Sequence, residues 1–192
     1  LRLERTHAVV SIDLAGDSLH RRGYRARQVA APLKENLAAA ILLRSGWPAL
    51  AAAGGAFVDP MCGSGTLPIE AALIAGDVAP GLLRARFGFE RWPGHDAGCW
   101  QRLAAEAEER RSRGRLGSGR LFGFDRDARA IAAAREAARL AGVDRAIEFR
   151  TSPLEALPDA PAPAGLIAVN PPYGGRIGSE SGLPQLYELL GR

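Results

Sequence analysis

The chain has 192 residues, 47% of them hydrophobic, which is enough for one folded unit with a real core. No apolar run reaches the roughly 18 residues that a membrane span needs, and two cysteines, Cys62 and Cys99, exclude a disulfide framework or a paired metal knuckle. The net charge of +4 and pI near 9.7 allow a polyanionic partner without naming one, because Lys34 is the sole lysine and the arginine bias accompanies abundant alanine and glycine.

The first element is a strand over His7–Leu14, where β-branched Val9, Val10 and Ile12 are followed by turn chemistry at Ala15-Gly16-Asp17. A hairpin is expected here. Pro32 to Ser45 then reads as a helix, with Leu33, Leu37 and Ile41 on one stripe and Gly46 at its end. Ala56-Phe57-Val58-Asp59 is a buried-type strand, and Leu67, Glu70, Ala71 and Ile74 mark the helix after it, closed by Gly76. The pattern breaks between Asp77 and Gly119 into an insertion holding a charged helix from about Gly98 to Arg113. A strand restarts at Leu121–Asp125, an alanine-rich helix runs from Arg126 to Leu140, and strands follow at Ala146–Arg150 and Gly165–Asn170. Strands alternating with helices predict an α/β architecture, a mostly parallel sheet with helices on both faces.

In such a sheet the ligand sits beyond the C-terminal strand ends. Asp59-Pro60-Met61-Cys62-Gly63-Ser64-Gly65-Thr66 occupies that position before a helix, and its glycines let a ligand approach the backbone. It lacks the lysine of a phosphate loop and the third glycine of a dinucleotide fingerprint. Asp125 ends the next strand and can accept hydrogen bonds from both hydroxyls of a ribose, whereas Asp127 suits a helix cap. Together the loop and Asp125 point to an adenosine-bearing small molecule.

Asn170-Pro171-Pro172-Tyr173 directly follows the apolar run Leu166–Val169, at the C-terminal end of another strand. An amino group on a base has its lone pair delocalised into the ring and is a poor nucleophile. Two acceptors aimed at its N–H bonds, the Asn170 side chain and the Pro171 carbonyl, would favour a tetrahedral nitrogen with its lone pair free. Tyr173 would stack on the base, worth about 1–3 kcal/mol. The base must leave its stack to reach such a site.

On these residues the chain resembles the class I S-adenosylmethionine-dependent methyltransferases. It is more closely similar to the bacterial large-subunit ribosomal RNA guanine-N2 methyltransferases that carry an N-terminal RNA-binding THUMP domain. The likeness runs through Ser18–Arg25, Ala31–Asn36, Asp59–Thr66, Phe87–Pro93, Phe122–Asp127 and Asn170–Gly174. It implies a Rossmann-like sheet and S-adenosylmethionine as cofactor, converted to S-adenosylhomocysteine (SAH). The implied donor site comprises Asp59, Pro60, Cys62, Gly63, Ser64, Gly65 and Thr66 around the methionine part, Asp125 and Arg126 at the ribose, and Asn170. Lys34, Glu35 and Asn36 would start a helix leaning over the donor. Asn170, Pro171, Pro172 and Tyr173 would hold the target base.

The chain departs from the pattern at the adenine end, where relatives carry an Asp and this sequence reads Arg150-Thr151-Ser152-Pro153, leaving Ser152 as the substitute. It is read as a fragment, without the upstream THUMP domain and the last strands of the sheet. Residues 1–50 would form the hairpin and donor-covering helix, and 51–192 the core with its insertion at about 77–119. The implied setting is cytoplasmic, with ribosomal RNA as partner and neither membrane nor metal; His7, His20 and His95 show no metal spacing. Arg21, Arg22, Arg25 and Arg27 around Tyr24 form the candidate RNA-contacting patch. Adenine-N6 methylation shares the same chemistry, while a nicotinamide oxidoreductase and a non-catalytic RNA-binding fragment are the readings of other classes.

Overall fold

The computed structural model describes residues 2–25, 33–114, 120–158, 165–171 and 183–191. In chain order the elements are β1 (Arg2–Glu4), β2 (His7–Val9), α1 (Glu35–Arg44), α2 (Trp47–Ala52), β3 (Ala56–Asp59) and α3 (Thr66–Ala75). Then come α4 (Ala97–Arg113), β4 (Leu121–Asp125), α5 (Ala128–Ala141), β5 (Ile147–Thr151), β6 (Gly165–Ile167) and α6 (Leu183–Leu190).

The central sheet has four parallel strands in the order β5-β4-β3-β6. From β3 the chain steps outward to β4 and β5 through α3 and α5, which touch each other, as two right-handed crossovers in one direction require. It then returns to the other side of β3, so the winding reverses between β3 and β6. Phe57 pairs with Leu121 and Leu166, and Asp125 with Thr151, which aligns the C-terminal strand ends along one edge.

α3 is apolar on nearly every side because it is buried all round, with Thr66 and Glu70 the polar exceptions. Residues 66 to 73 are inaccessible, wrapped by α1, α2, α5 and the sheet. Trp47 anchors α2 by edge-on contact with Phe57 and by donating from Nε1 to the Ala71 carbonyl, 2.9 Å away. α5 buries one face through Ile131, Ala134, Ala138 and Ala141, and ends on Gly142 at φ 70°.

Four expectations need correction. The hairpin partner of β2 precedes it: β1 pairs with β2 across Arg5, whose φ is 47°, and the strand stops at Val9. The turn at Ala15–Asp17 serves instead to lay Gly16 against the backbone of Gly88 in the insertion, with the Gly88 N–H donating to Ala15. In α1 the stripe Leu37 and Ile41 faces outward, and the buried face is Glu35, Ala38 and Leu42. α1 also begins at Glu35, and Pro32 lies outside the described residues. α5 begins at Ala128 because Asp127 caps it, its carboxylate accepting from the Arg129 N–H at 2.8 Å.

The insertion is pinned at both ends. Arg110 of α4 grips Asp77 with two hydrogen bonds of 2.8 and 2.6 Å, which hold the Asp77 carboxyl below the ordinary carboxylate range. Phe87, Phe89 and Trp100 pack together at centroid distances of 5.0 to 5.2 Å. No helix among the described residues is long and apolar enough to cross a membrane.

Candidate active site at the C-terminal sheet edge

β3 delivers Asp59 and then the glycine loop. The loop is stapled to the next strand: the Cys62 N–H donates to the Phe124 carbonyl at 2.7 Å, and the Gly63 N–H donates to Asp125 Oδ2 at 2.9 Å. The other oxygen, Oδ1, accepts from the Asp127 N–H at 2.9 Å. A carboxylate oxygen can accept about two hydrogen bonds, so each retains capacity for a ribose hydroxyl.

The two loop glycines have different reasons. Gly65 stands at φ 80°, and a Cβ there would meet the Ala134 Cβ at 2.9 Å and the Phe149 ring at 3.1 Å, so this glycine serves packing. Gly63 stands at φ 54° with nothing within 4 Å of where its Cβ would be. Its open side leaves room for a ligand, beside the α3 N-terminus whose first amides lack intrahelical partners. That cradle fits the carboxylate end of an amino-acid-bearing donor.

A cavity of about 290 Å³ opens at this edge, lined by Pro60 and Met61 after β3, Asp125 and Arg126 after β4, and Ser152 to Glu155 after β5. Asn170 and Pro171 after β6 and Leu186 of α6 complete it. Pro60, Asp125, Arg126, Ser152, Asn170 and Pro171, six of the residues named from the sequence, therefore meet in one space. Pro172 and Tyr173 lie outside the described residues. Met61, Pro153, Leu154, Glu155 and Leu186 also line it but are not among the site residues expected from the sequence. The segment 153–155 could have been found from its place after a strand end, whereas nothing local marks Leu186.

The rest of the named donor set has other surroundings. Asp59 is 2% exposed and accepts from the Met61 N–H at 3.1 Å. Burial pushes its carboxyl up to about 8, against the opposing pull of the Met61 N–H and with help from the Asp125 charge. Cys62 is buried, with Sγ 3.2 Å from where a Gly123 Cβ would stand, and burial raises its thiol well above the ordinary range. Cys62 packs; it is no nucleophile. Lys34 and Asn36 are exposed, whereas Glu35 is buried between α1 and α3. Ser152 turns its hydroxyl to the Ala156 carbonyl at 3.1 Å, so it also closes the turn that follows β5.

The proposed arginine patch divides. Arg21 is exposed and Arg27 lies outside the described residues. Arg22 is 8% exposed, its Nε 2.8 Å from Glu70 Oε1, close in distance although the N–H is not aimed along that line. Arg25 turns inward to Glu35 and Thr66. Two of the four, the buried Arg22 and the half-buried Arg25, are thus engaged inside the fold, since each stands beside a buried acid.

The family model for the RMKL-like methyltransferase domain matches residues 22–192. The chain belongs to this family. The ribosomal RNA large subunit methyltransferase K/L of Syntrophotalea carbinolica is 57% identical over the whole chain, and that of Allochromatium vinosum is 54% identical over 94% of it. The chain spans about a quarter of the length of these relatives, 27% and 25%. Among solved structures, SMU.472, a methyltransferase candidate complexed with SAH, superposes with a TM-score of 0.81 at 39% identity, covering 93% of this chain and 45% of that one. A Listeria monocytogenes protein described as a predicted N6-adenine-specific DNA methylase gives 0.79 at 38%, with the same coverage. The likeness to these solved structures accounts for the parallel sheet.

Proposed function

We propose that this chain binds S-adenosylmethionine and directs its methyl group to an exocyclic amine of a nucleic-acid base, guanine N2 in large-subunit ribosomal RNA. The observation that carries the reading is that Asp125, named for the donor's ribose, and Asn170, named for both donor and target base, line one cavity at the point where the sheet reverses its winding. The names of the curated relatives support ribosomal RNA, and a neighbour complexed with SAH supports the cofactor.

The donor supplies a methyl group already activated on a sulfonium, so an aryl amine need not be deprotonated beforehand. Asp125 would orient the ribose through its two oxygens, and Gly63 would admit the chain bearing the sulfonium past a backbone without a side chain. Asn170 and the Pro171 carbonyl would accept the two N–H bonds of the target amine, which directs its lone pair toward the methyl carbon. The amine proton in surplus after transfer passes to solvent. Pro172 and Tyr173 complete the proposed base-binding set, with Tyr173 as stacking face.

The same reading places Lys34, Glu35, Asn36, Ser64 and Thr66 around the donor, Arg21 with Arg27 toward RNA, and residues 1–50 as an appendage to the methyltransferase core. It also assigns the intact protein an upstream RNA-binding THUMP domain and a cytoplasmic setting, where the free thiols of Cys62 and Cys99 would stay reduced. A second reading, adenine N6, is favoured by the description of the Listeria relative. Incubating the intact protein with labelled donor and ribosomal RNA, then digesting to nucleosides, decides between them. N2-methylguanosine is expected; N6-methyladenosine would transfer the assignment to the second reading, and no labelled nucleoside with either RNA or DNA would remove both.

A further inference from the structure

One guanidinium ties together the starts of two helices at the donor site. Arg25 donates from one terminal nitrogen to Thr66 Oγ1 at 2.8 Å and to the Leu33 carbonyl, and its Nε stands 3.1 Å from Glu35 Oε1. Thr66 is the first residue of α3, directly after the glycine loop, and is 5% exposed. Leu33 and Glu35 flank Lys34, the residue that caps α1. The arginine therefore spans the gap between the loop and the helix meant to lie over the donor.

Its neighbours tie the segment to α3 and to the insertion. Tyr24, 1% exposed, donates from its hydroxyl to Glu70 Oε1 at 2.9 Å, one turn further along α3, and Arg22 meets the same oxygen. Two buried acids of α1 and α3 are thus matched by two cations from residues 22 to 25. Gly23 between them has φ 89°, and a Cβ there would stand 2.6 Å from the Leu83 carbonyl, so the segment is also seated against the insertion. Arg84 of that insertion donates to the carbonyls of Asp17, Ser18 and Arg21 at 2.7 to 3.1 Å. A buried ion pair is weak evidence for stability, but it fixes geometry, and a planar guanidinium fixes it in two directions at once.

We infer that Arg25 is a positioning residue for the donor loop: through Thr66 and the start of α1 it sets where the first turn of α3 stands relative to Lys34 and Asn36. This rests on the donor-binding reading of that loop. Arg25 reaches neither donor nor base; it acts through the residues that would.

The test compares Arg25→Lys, Thr66→Val and the double variant in the intact protein, by calorimetric titration with SAH and by methyl-transfer kinetics. A lysine keeps the charge opposite Glu35 but lacks the planar fork that holds Thr66 Oγ1 and the Leu33 carbonyl in this geometry. The expected loss is about tenfold in SAH affinity for Arg25→Lys, the scale of one hydrogen bond to a charged group. The KM for the donor should rise in parallel, with kcat at saturating donor within about twofold. If Arg25 acts through Thr66, the double variant is no weaker than the weaker single variant.

Unchanged SAH affinity in Arg25→Lys, additive losses in the double variant, or a loss of RNA affinity with donor affinity intact would each overturn the inference. Should Arg25→Lys fail to fold, Arg25→Gln combined with Glu35→Gln removes both charges together and carries the same comparison. Failure of the unmodified protein to bind SAH would fall on the functional reading instead, since the variants would then have no baseline to depart from.

Discussion

Asp125 holds the glycine loop and, on the proposed function, the donor as well. Its two oxygens already accept from Gly63 and Asp127. Asp125→Ala should therefore weaken SAH binding by about a hundredfold, the scale of two hydrogen bonds to a charged acceptor, with a smaller part from a loosened loop. Calorimetry measures it; equal binding would remove the ribose assignment. Asn170→Ala tests the opposite reactant. If its carbonyl orients the amine in the transition state, kcat should fall about a hundredfold or more while SAH affinity changes little. A rise in the donor dissociation constant with kcat unchanged would reassign Asn170 to the donor. Both residues could be read from the sequence because each stands at or just beyond the C-terminal end of a strand, where position assigns them to the ligand edge. The inward partners of Arg22 and Arg25 were not legible because Glu70 and Glu35 are buried acids on helices that only the tertiary fold brings near.

At the scale of elements, strands and helices were legible where burial is one-sided or complete. β3, α3, β4 and α5 match their expected spans within a few residues because each carries an apolar pattern closed by glycine or an acid cap. α1 misled because its apolar stripe, Leu37 and Ile41, is exposed, and the face it buries includes an acid paired with Arg25. α2 was not anticipated; it is a short helix entered through Gly46 at φ 74° and held by Trp47 rather than by periodicity. The loop between β3 and α3 yields a prediction of its own. Gly65→Ala forces a side chain into a left-handed backbone against Ala134 and Phe149, and should cost several kcal/mol by urea denaturation, within the range for overpacking combined with strain. Gly63→Ala meets no neighbour, so it should cost about 1 kcal/mol of stability. It should instead lower SAH affinity by more than tenfold if the donor occupies that open side. A Gly63→Ala protein with normal SAH affinity would show that the donor approaches elsewhere.

For the molecule as a whole, the sheet edge that gathers the site also gathers buried acids, and stability should record it. Asp59 keeps its proton in the folded chain up to about pH 8, against 3.8 for an ordinary aspartate, because burial removes the water its charge would need. Between these values the folded state holds a proton that the unfolded chain has released. By linkage the stability from this group is fully present below about pH 4 and is lost as pH rises through about 8. Glu70, raised to about 7 chiefly by burial in spite of Arg22, acts with the same sign. The urea midpoint should therefore fall between pH 5 and pH 8.5, opposite to the rise that a chain of salt-bridged surface carboxylates would give. Asp59→Asn replaces the acid by an amide that cannot ionise and still offers an oxygen to the Met61 N–H. It should flatten the decline, leaving the part due to Glu70. An identical slope in both proteins would mean that Asp59 ionises normally, with water reaching the base of the loop, and the cradle around Gly63 would then be more open than its packing implies.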